Sequence, residues 1–343
     1  MQELWRSLAA ERRPILLYGM GDGADKVLAA CVQKGVEISG VFASDGFVRE
    51  KRFHGFPLLS LAQAEARFGD FTALLCFGTR LPDVMETILA LRPRHALFIP
   101  DVPVAGGALF DQAFACAHAA QLEEAYSLFA DELSRALFRS LVFYKLTGRP
   151  EYLLEHTSAF SDDVRALIAP RADDVLLDIG AYTGDTIALF SALAGGLRFI
   201  SAFEPDVKSA AKLRQLLQRT APGRHEVFEA AAWNAHDVLP FSSGAGRGSA
   251  LGNGKNVPAL APDETVCMPP SIIKIDAEGA EGQALRGCRK LLQHRPRLCC
   301  AAYHRSEDLF TLPQLIRSLR PESRLYLRRA PCFPAWEVNL FAL

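Results

Sequence analysis

Four apolar runs in this chain end in side chains that can do chemistry. Val175-Leu176-Leu177 leads into Asp178, the run 199–203 closes on Glu204, and Ile272, Ile273 and Ile275 precede Asp276. The fourth run, 298–302, ends in Tyr303-His304-Arg305. Carboxylates at such positions accept hydrogen bonds from hydroxyls, hold cations or take a proton, and a histidine there is a candidate general base. In open parallel sheets ligands lie outside the carboxyl ends of the strands. If the four runs are strands of one sheet, their ends face one crevice.

The turn after Asp178 narrows the ligand. It reads Gly180, Ala181, Tyr182, Thr183, Gly184, Asp185, Thr186, and a helical pattern follows. A strand, a glycine turn and a helix start let backbone approach a nucleotide-like ligand. The spacing is D-x-G-x-x-x-G, however, not the G-x-G-x-x-G that seats a pyrophosphate. Asp178 and Asp185 would repel a pyrophosphate and favour the ammonium and sulfonium of S-adenosylmethionine. Glu204, followed by Pro205, lies about twenty residues past the second glycine, where an acidic side chain accepts from both ribose hydroxyls. Ala232 and Trp233, ending a third run, would flank an adenine, with the indole as an apolar wall or simply as core packing. Asp276 and Glu278 suit oxygen ligation of a divalent metal, base catalysis or contact with the cofactor's amino group. Glu278 and Glu281 also suit the first turn of a helix. For removing a proton from an acceptor hydroxyl, His304 and Asp276 are the candidates; the other seven histidines are read as structural.

The elements that must position these residues fall into three parts, 1–107, 108–172 and 173–343. In the first part strands at Ile15–Tyr18, 38–42, 71–77 and 95–99 alternate with helices starting at Lys26 and Pro82, a pattern that implies a small parallel sheet. Its own turn places Gly19, Gly21 and Ala24 as G-x-G-x-x-A, with Asp45 beyond the second strand. Taken literally that is a dinucleotide site, and an oxidoreductase using NAD is the corresponding alternative. Asp22 inside the turn favours a Rossmann-like domain that positions the other domain or binds a partner. The second part is a helical connector, with Leu122, Tyr126, Phe129, Leu133, Leu137, Leu141 and Tyr144 at helical spacing. The third is a second α/β alternation. Its segment 241–256, rich in glycine and serine, reads as a lid over the substrate. It is no P-loop, because Asn256 follows Gly254-Lys255 and Ser249 stands where a glycine is needed.

Composition limits the partners. The chain has 343 residues and a formal net charge of -1, with no basic stripe interleaved with aromatics, which argues against nucleic acid. Half of it is hydrophobic, yet no apolar run reaches membrane-spanning length, and the N-terminal residues lack the apolar stretch of a secretory signal. Eight cysteines without a C-x-x-C pair read as thiols of a reducing, cytoplasmic compartment. Self-association into a homo-oligomer is compatible with this composition.

Five segments, in order, carry a family resemblance: D-I-G-A-Y-T-G-D-T, F-E-P-D, A-A-W-N, I-I-K-I-D-A-E-G-A-E and Y-H-R-S-E-D-L. Together they resemble the FkbM-type family of S-adenosylmethionine-dependent methyltransferases over roughly residues 173–343, the K-I-D-x-E-G-x-E element being the most specific. The resemblance implies a Rossmann-like class I methyltransferase fold, a mostly parallel sheet with a C-terminal antiparallel hairpin. It implies O-methylation of a hydroxyl on a sugar, glycan end or polyketide-like acceptor. The N-terminal part resembles a nucleotide-binding-type domain attached to some members. Tyr303 stands where members often carry glutamate, so no metal ligand carries over at that position. A binding or scaffold protein that has lost catalysis is the remaining alternative.

Overall fold

Short apolar strands alternate with amphipathic helices twice along the chain, and each alternation closes into its own mostly parallel sheet. The computed structural model describes residues 2–44, 52–242, 250–251 and 255–343. The first sheet holds β1 (Ile15–Tyr18), β2 (Gly40–Ala43), β3 (Arg52–Phe53), β4 (Phe56–Ser60), β5 (Thr72–Leu75) and β6 (Ala96–Phe98). Their order is β3-β4-β2-β1-β5-β6, parallel except for the β3–β4 hairpin. β1, β2 and β5 are buried along their whole length, as expected of parallel strands covered on both faces.

The second sheet begins with β7 (Val175–Ile179), β8 (Phe199–Phe203) and β9 (His225–Phe228). A separate four-stranded sheet follows, from β10 (Ala231–Ala232), β11 (Asp237–Ser242), β12 (Ala250–Leu251) and β13 (Lys255–Leu260). The chain then returns with β14 (Ile272–Ile275), β15 (Arg297–Ala301), β16 (Leu325–Arg329) and β17 (Val338–Ala342). The seven strands run β16-β17-β15-β14-β7-β8-β9, and only β17 is antiparallel to its neighbours. This is the α/β architecture the sequence led us to expect, C-terminal hairpin included. The order reverses between β7 and β14, the switch point where a crevice opens beyond the strand ends.

Three features differ from the sequence expectation. The β3–β4 hairpin and the four-stranded sheet had no counterpart in it, because Pro57, Pro240 and Pro258 lie inside those strands and argue locally against them. The supposed lid 241–256 is flanked by β11, β12 and β13; its residues 243–249 and 252–254, like Asp45, lie outside the described residues. The connector is not one helical run. It breaks between helices Ala119–Leu128 and Glu132–Thr147, where the Ala130 N–H donates to Leu325 O of β16 at 2.8 Å. Asp131 then caps the next helix, accepting from the Ser134 N–H at 2.9 Å. Leu133, on the apolar spacing, is consequently left 41% exposed.

The connector joins the two sheets through packing. One cluster of buried side chains contains Leu16, Phe42 and Phe71 of the first sheet, Leu137 and Tyr144 of the connector, and Ile273 and Leu298 of the second sheet. Among the described residues no helix is long and apolar enough to cross a membrane.

Candidate active site

The glycine turn after β7 is held by close packing from below. Gly180 has φ +75°, and a Cβ on it would lie 1.8 Å from the Asp276 carbonyl oxygen, so this turn and the end of β14 can touch only if residue 180 is glycine. Beneath the turn Asp178 is fully buried, and Lys274, its register partner on β14, is nearly so. The Lys274 Nζ lies 3.3 Å from Asp178 Oδ1 and 3.9 Å from Asp276 Oδ2, and it donates to Gly180 O at 3.1 Å. Burial opposes the lysine's charge, but Asp178 and Asp276 outweigh that and hold the ammonium above the usual lysine range. Burial also raises the Asp178 carboxyl. A lysine on the central strand thus braces the turn from inside the sheet.

Glu204, at the end of β8, is oriented by two backbone amides. The Tyr182 N–H donates to its Oε2 at 2.7 Å and the Asp206 N–H to its Oε1 at 2.8 Å. Each oxygen keeps lone pairs for a ligand. Burial raises its carboxyl despite both donors.

His304 sits at the end of β15, 1% exposed, inside a ring of carboxylates. Its Nδ1 lies 2.8 Å from Glu281 Oε1, and its Nε2 lies 3.4 Å from Glu278 Oε2 and 3.5 Å from Asp276 Oδ1. Burial alone would push the imidazole down; Glu281, Asp276 and Glu278 reverse this and raise it to about 10. Glu281 in turn accepts from the Ala277 N–H at 2.8 Å, and His304 holds its carboxyl below the usual range despite burial. Burial raises Glu278 to about 7. Asp276, Glu281 and His304 bring one oxygen or nitrogen each within 4.8 Å of one another. The suggested metal pair was Asp276 with Glu278. In the structure Nδ1 of His304 faces Glu281 while Nε2 faces Asp276 and Glu278, an arrangement that suits either a protonated ring or a cation held by Nε2 and those oxygens.

These strand ends open into a cavity of about 1050 Å³. Gly180, Tyr182, Asp185, Thr186, Glu204, Pro205, Ala232, Asp276, Glu278 and His304 all line it. Asp178, Ala181, Thr183 and Gly184 do not; they support the turn from behind, and Gly184 is the N-cap of the helix Asp185–Ala194. Trp233 is also outside the lining, its N–H donating to Leu260 O at 2.9 Å. Lys274 had no assigned role in the sequence, and Glu281 was read only as a first-turn helix acid, which it also is. Their signal was a charged residue in an apolar strand and an acid five residues past Asp276.

The lining also includes residues of the N-terminal lobe, among them Met20, Asp22, Phe77 and Gly78. The first glycine turn lines the same cavity through Met20, Asp22 and Gly23, and Gly21 has open space beside it. A Cβ on Gly23 would lie 2.2 Å from Cys76 O. Asp22 and Asp25 occupy the first turn of the helix Asp22–Gln33, putting negative charge where a pyrophosphate needs donors. The two lobes are joined directly: Thr79 and Phe333 exchange backbone hydrogen bonds of 2.8 and 3.0 Å, and the Ala105 N–H donates to His304 O at 2.9 Å.

Comparison with known proteins agrees with this geometry. No curated protein matches the sequence. The crystal structure of methyltransferase FkbM from Methylobacillus flagellatus KT is similar over 98% of this chain and 92% of its own, with a TM-score of 0.77 and 21% identity. A precorrin-6y C5,15-methyltransferase from Geobacter metallireducens GS-15 covers 53% of this chain and 86% of its own, with a TM-score of 0.37 and 13% identity. Residues 178–327 match the methyltransferase FkbM domain, a span that starts at the buried aspartate under the glycine turn and ends in β16. Those residues thus match a methyltransferase FkbM domain, and the fold of the whole chain is similar to that of the Methylobacillus flagellatus structure.

Proposed function

We propose that the protein transfers a methyl group from S-adenosylmethionine to a hydroxyl of a sugar, glycan or natural-product acceptor. The observation that carries this reading is Glu204, backbone-clamped on the cavity wall beside the sheet's switch point, with its carboxylate available to ribose hydroxyls. The rest of the lining fits such a ligand. Asp185, Asp206, Asp276 and Glu278 give this end an acidic wall suited to a cationic group, and Gly180 brings backbone close.

When bound, the cofactor supplies a methyl already activated on sulfur. The protein must align an acceptor oxygen with it and remove a proton. Expected as the base, His304 faces three carboxylates that raise its imidazole, and we assign it instead the part of their counter-charge. Glu278, on the cavity wall and raised to about 7 by burial, takes the base role, since a base works best with a pKa near the working pH. Asp276 keeps its place beside it. Glu281 fixes the imidazole orientation.

Calorimetry with S-adenosylhomocysteine and with NAD tests the cofactor, and labelled methyl transfer to hydroxyl acceptors, with and without magnesium, tests the reaction. S-adenosylhomocysteine should bind and NAD should not; binding of NAD alone would overturn the reading. Glu204→Ala should weaken S-adenosylhomocysteine at least about tenfold, because charge-assisted hydrogen bonds are lost. Binding without any methyl transfer would point to a scaffold.

A further inference from the structure

We infer that the acceptor is held in a subsite built jointly by the two lobes, on a wall that Phe77 and Gly78 form with Tyr303 and Trp336, and that it takes an uncharged, ring-shaped polyol. The inference rests on the methyl-transfer reading above. It assigns the N-terminal lobe the task of choosing the acceptor.

These four residues line the same cavity as Gly180 and Glu204. Gly78 is the contact point. A Cβ built on it would fall 2.0 Å from Trp336 Cζ3, so the indole lies directly on the backbone of the N-terminal lobe. The Thr79–Phe333 hydrogen bonds fix the loop carrying Gly78 to the loop carrying Trp336. Tyr303 continues the aromatic wall to the reaction centre, its ring centroid 4.1 Å from that of His304. Phe77 is set by edge contact with Tyr18 at 5.3 Å. All three aromatic side chains line the cavity while remaining only half-buried. Rigid apolar faces with a few polar groups between them are what a ring with an apolar face and hydroxyl edges requires.

Charge decides which rings. On this wall, among the described residues, the cations are already matched: Lys26 lies 2.8 Å from Asp22 and donates to Val104 O at 3.0 Å, and Arg80 lies 2.9 Å from Glu337. A phosphate or carboxylate on the acceptor would have to break one of these pairs. It would also meet Asp276 and Glu278 at the strand ends. Unpaired like charge is an effective way to reject a ligand. Hydroxyls meet no such penalty, and the carboxylates can accept from them.

The test uses the full chain, labelled S-adenosylmethionine, and a panel of methyl hexosides, their 6-phosphates, the matching uronic acids and linear hexitols. Calorimetry with S-adenosylhomocysteine runs in parallel. Neutral hexosides should be methylated, with kcat/KM at least tenfold above their phosphates, uronates and hexitols. Trp336→Ala and Gly78→Ala should each raise the hexoside KM at least tenfold, leaving S-adenosylhomocysteine affinity within twofold. The Gly78 variant displaces the indole without touching the strand ends. Unchanged KM in both variants, preference for anionic members, or no transfer to any cyclic neutral member while S-adenosylhomocysteine still binds would each overturn the subsite. So would a variant that loses S-adenosylhomocysteine affinity as well. Failure of the wild-type chain to bind S-adenosylhomocysteine would overturn the methyl-transfer reading beneath it.

Discussion

In the proposed reaction Glu278 takes the proton and His304 supplies the neighbouring positive charge. The carboxyl of Glu278 is poised near neutrality, and the imidazole stays charged until about pH 10. Methyl transfer should therefore rise with pH through about 7, as Glu278 loses its proton, and hold until His304 loses its own. Glu278→Gln should lower kcat by about 10²–10⁴-fold and remove the inflection near pH 7. A variant that keeps the inflection would move the base elsewhere. Legibility at this scale depended on whether a role is local. The places of Gly180 in the turn and Glu204 at the strand end could be read because residue type and spacing along one strand-turn-helix fix them. Lys274 could not. In I-I-K-I it interrupts an apolar strand, and its purpose appears only when β14 pairs with β7 and sets it against Asp178. Glu281 was ambiguous for the same reason, since a first-turn acid and a partner for a distant histidine look alike in sequence.

The elements show why the connector matters. Asp131 caps the helix Glu132–Thr147 and also binds Arg328 of β16, its Oδ2 lying 2.6 Å from Nη2. Ser134, in the first turn of that helix, accepts from the Leu327 N–H at 2.9 Å. One short segment thus ends a helix, starts another and holds the edge strand of the second sheet. Asp131→Ala should cost about 2 kcal/mol, combining a lost cap with a partly buried ion pair. Urea unfolding measures it, and a cost below about 0.5 kcal/mol would show that the connector docks by apolar contact alone. The helical spacing in the sequence was legible here, but the break was not. Phe129 keeps the apolar period and yet sits where the backbone leaves the helix to meet Leu325.

For the whole molecule, the parallel sheets could be read from alternating apolar runs, whereas the docking of one lobe on the other could not. It depends on contacts such as Thr79 with Phe333, far apart in sequence. With buried residues of both sheets in one cluster, heating should give a single cooperative transition, its calorimetric and van't Hoff enthalpies agreeing. Two resolved transitions would show that the lobes fold separately. The transition should also move with pH in a defined direction. Glu278 and Asp308 are raised to about 7 by burial, and His304 to about 10 by its carboxylates against burial. Each binds its proton more tightly folded than unfolded, so each contributes stability fully present below its unfolded pKa and lost as pH rises through the folded one. Melting temperature should fall in steps near pH 7 and towards pH 10. Glu281, held low by His304, acts oppositely and loses its contribution in acid.

The continuous core has a further consequence for traffic. A wall anchored by shared packing, by the Thr79–Phe333 bridge and by the Ala105 N–H on His304 O cannot swing aside as a door. Donor and acceptor then meet in one cavity whose lining both lobes supply. Order of arrival becomes a property of the architecture: whichever molecule sits deeper has to come first and depart last.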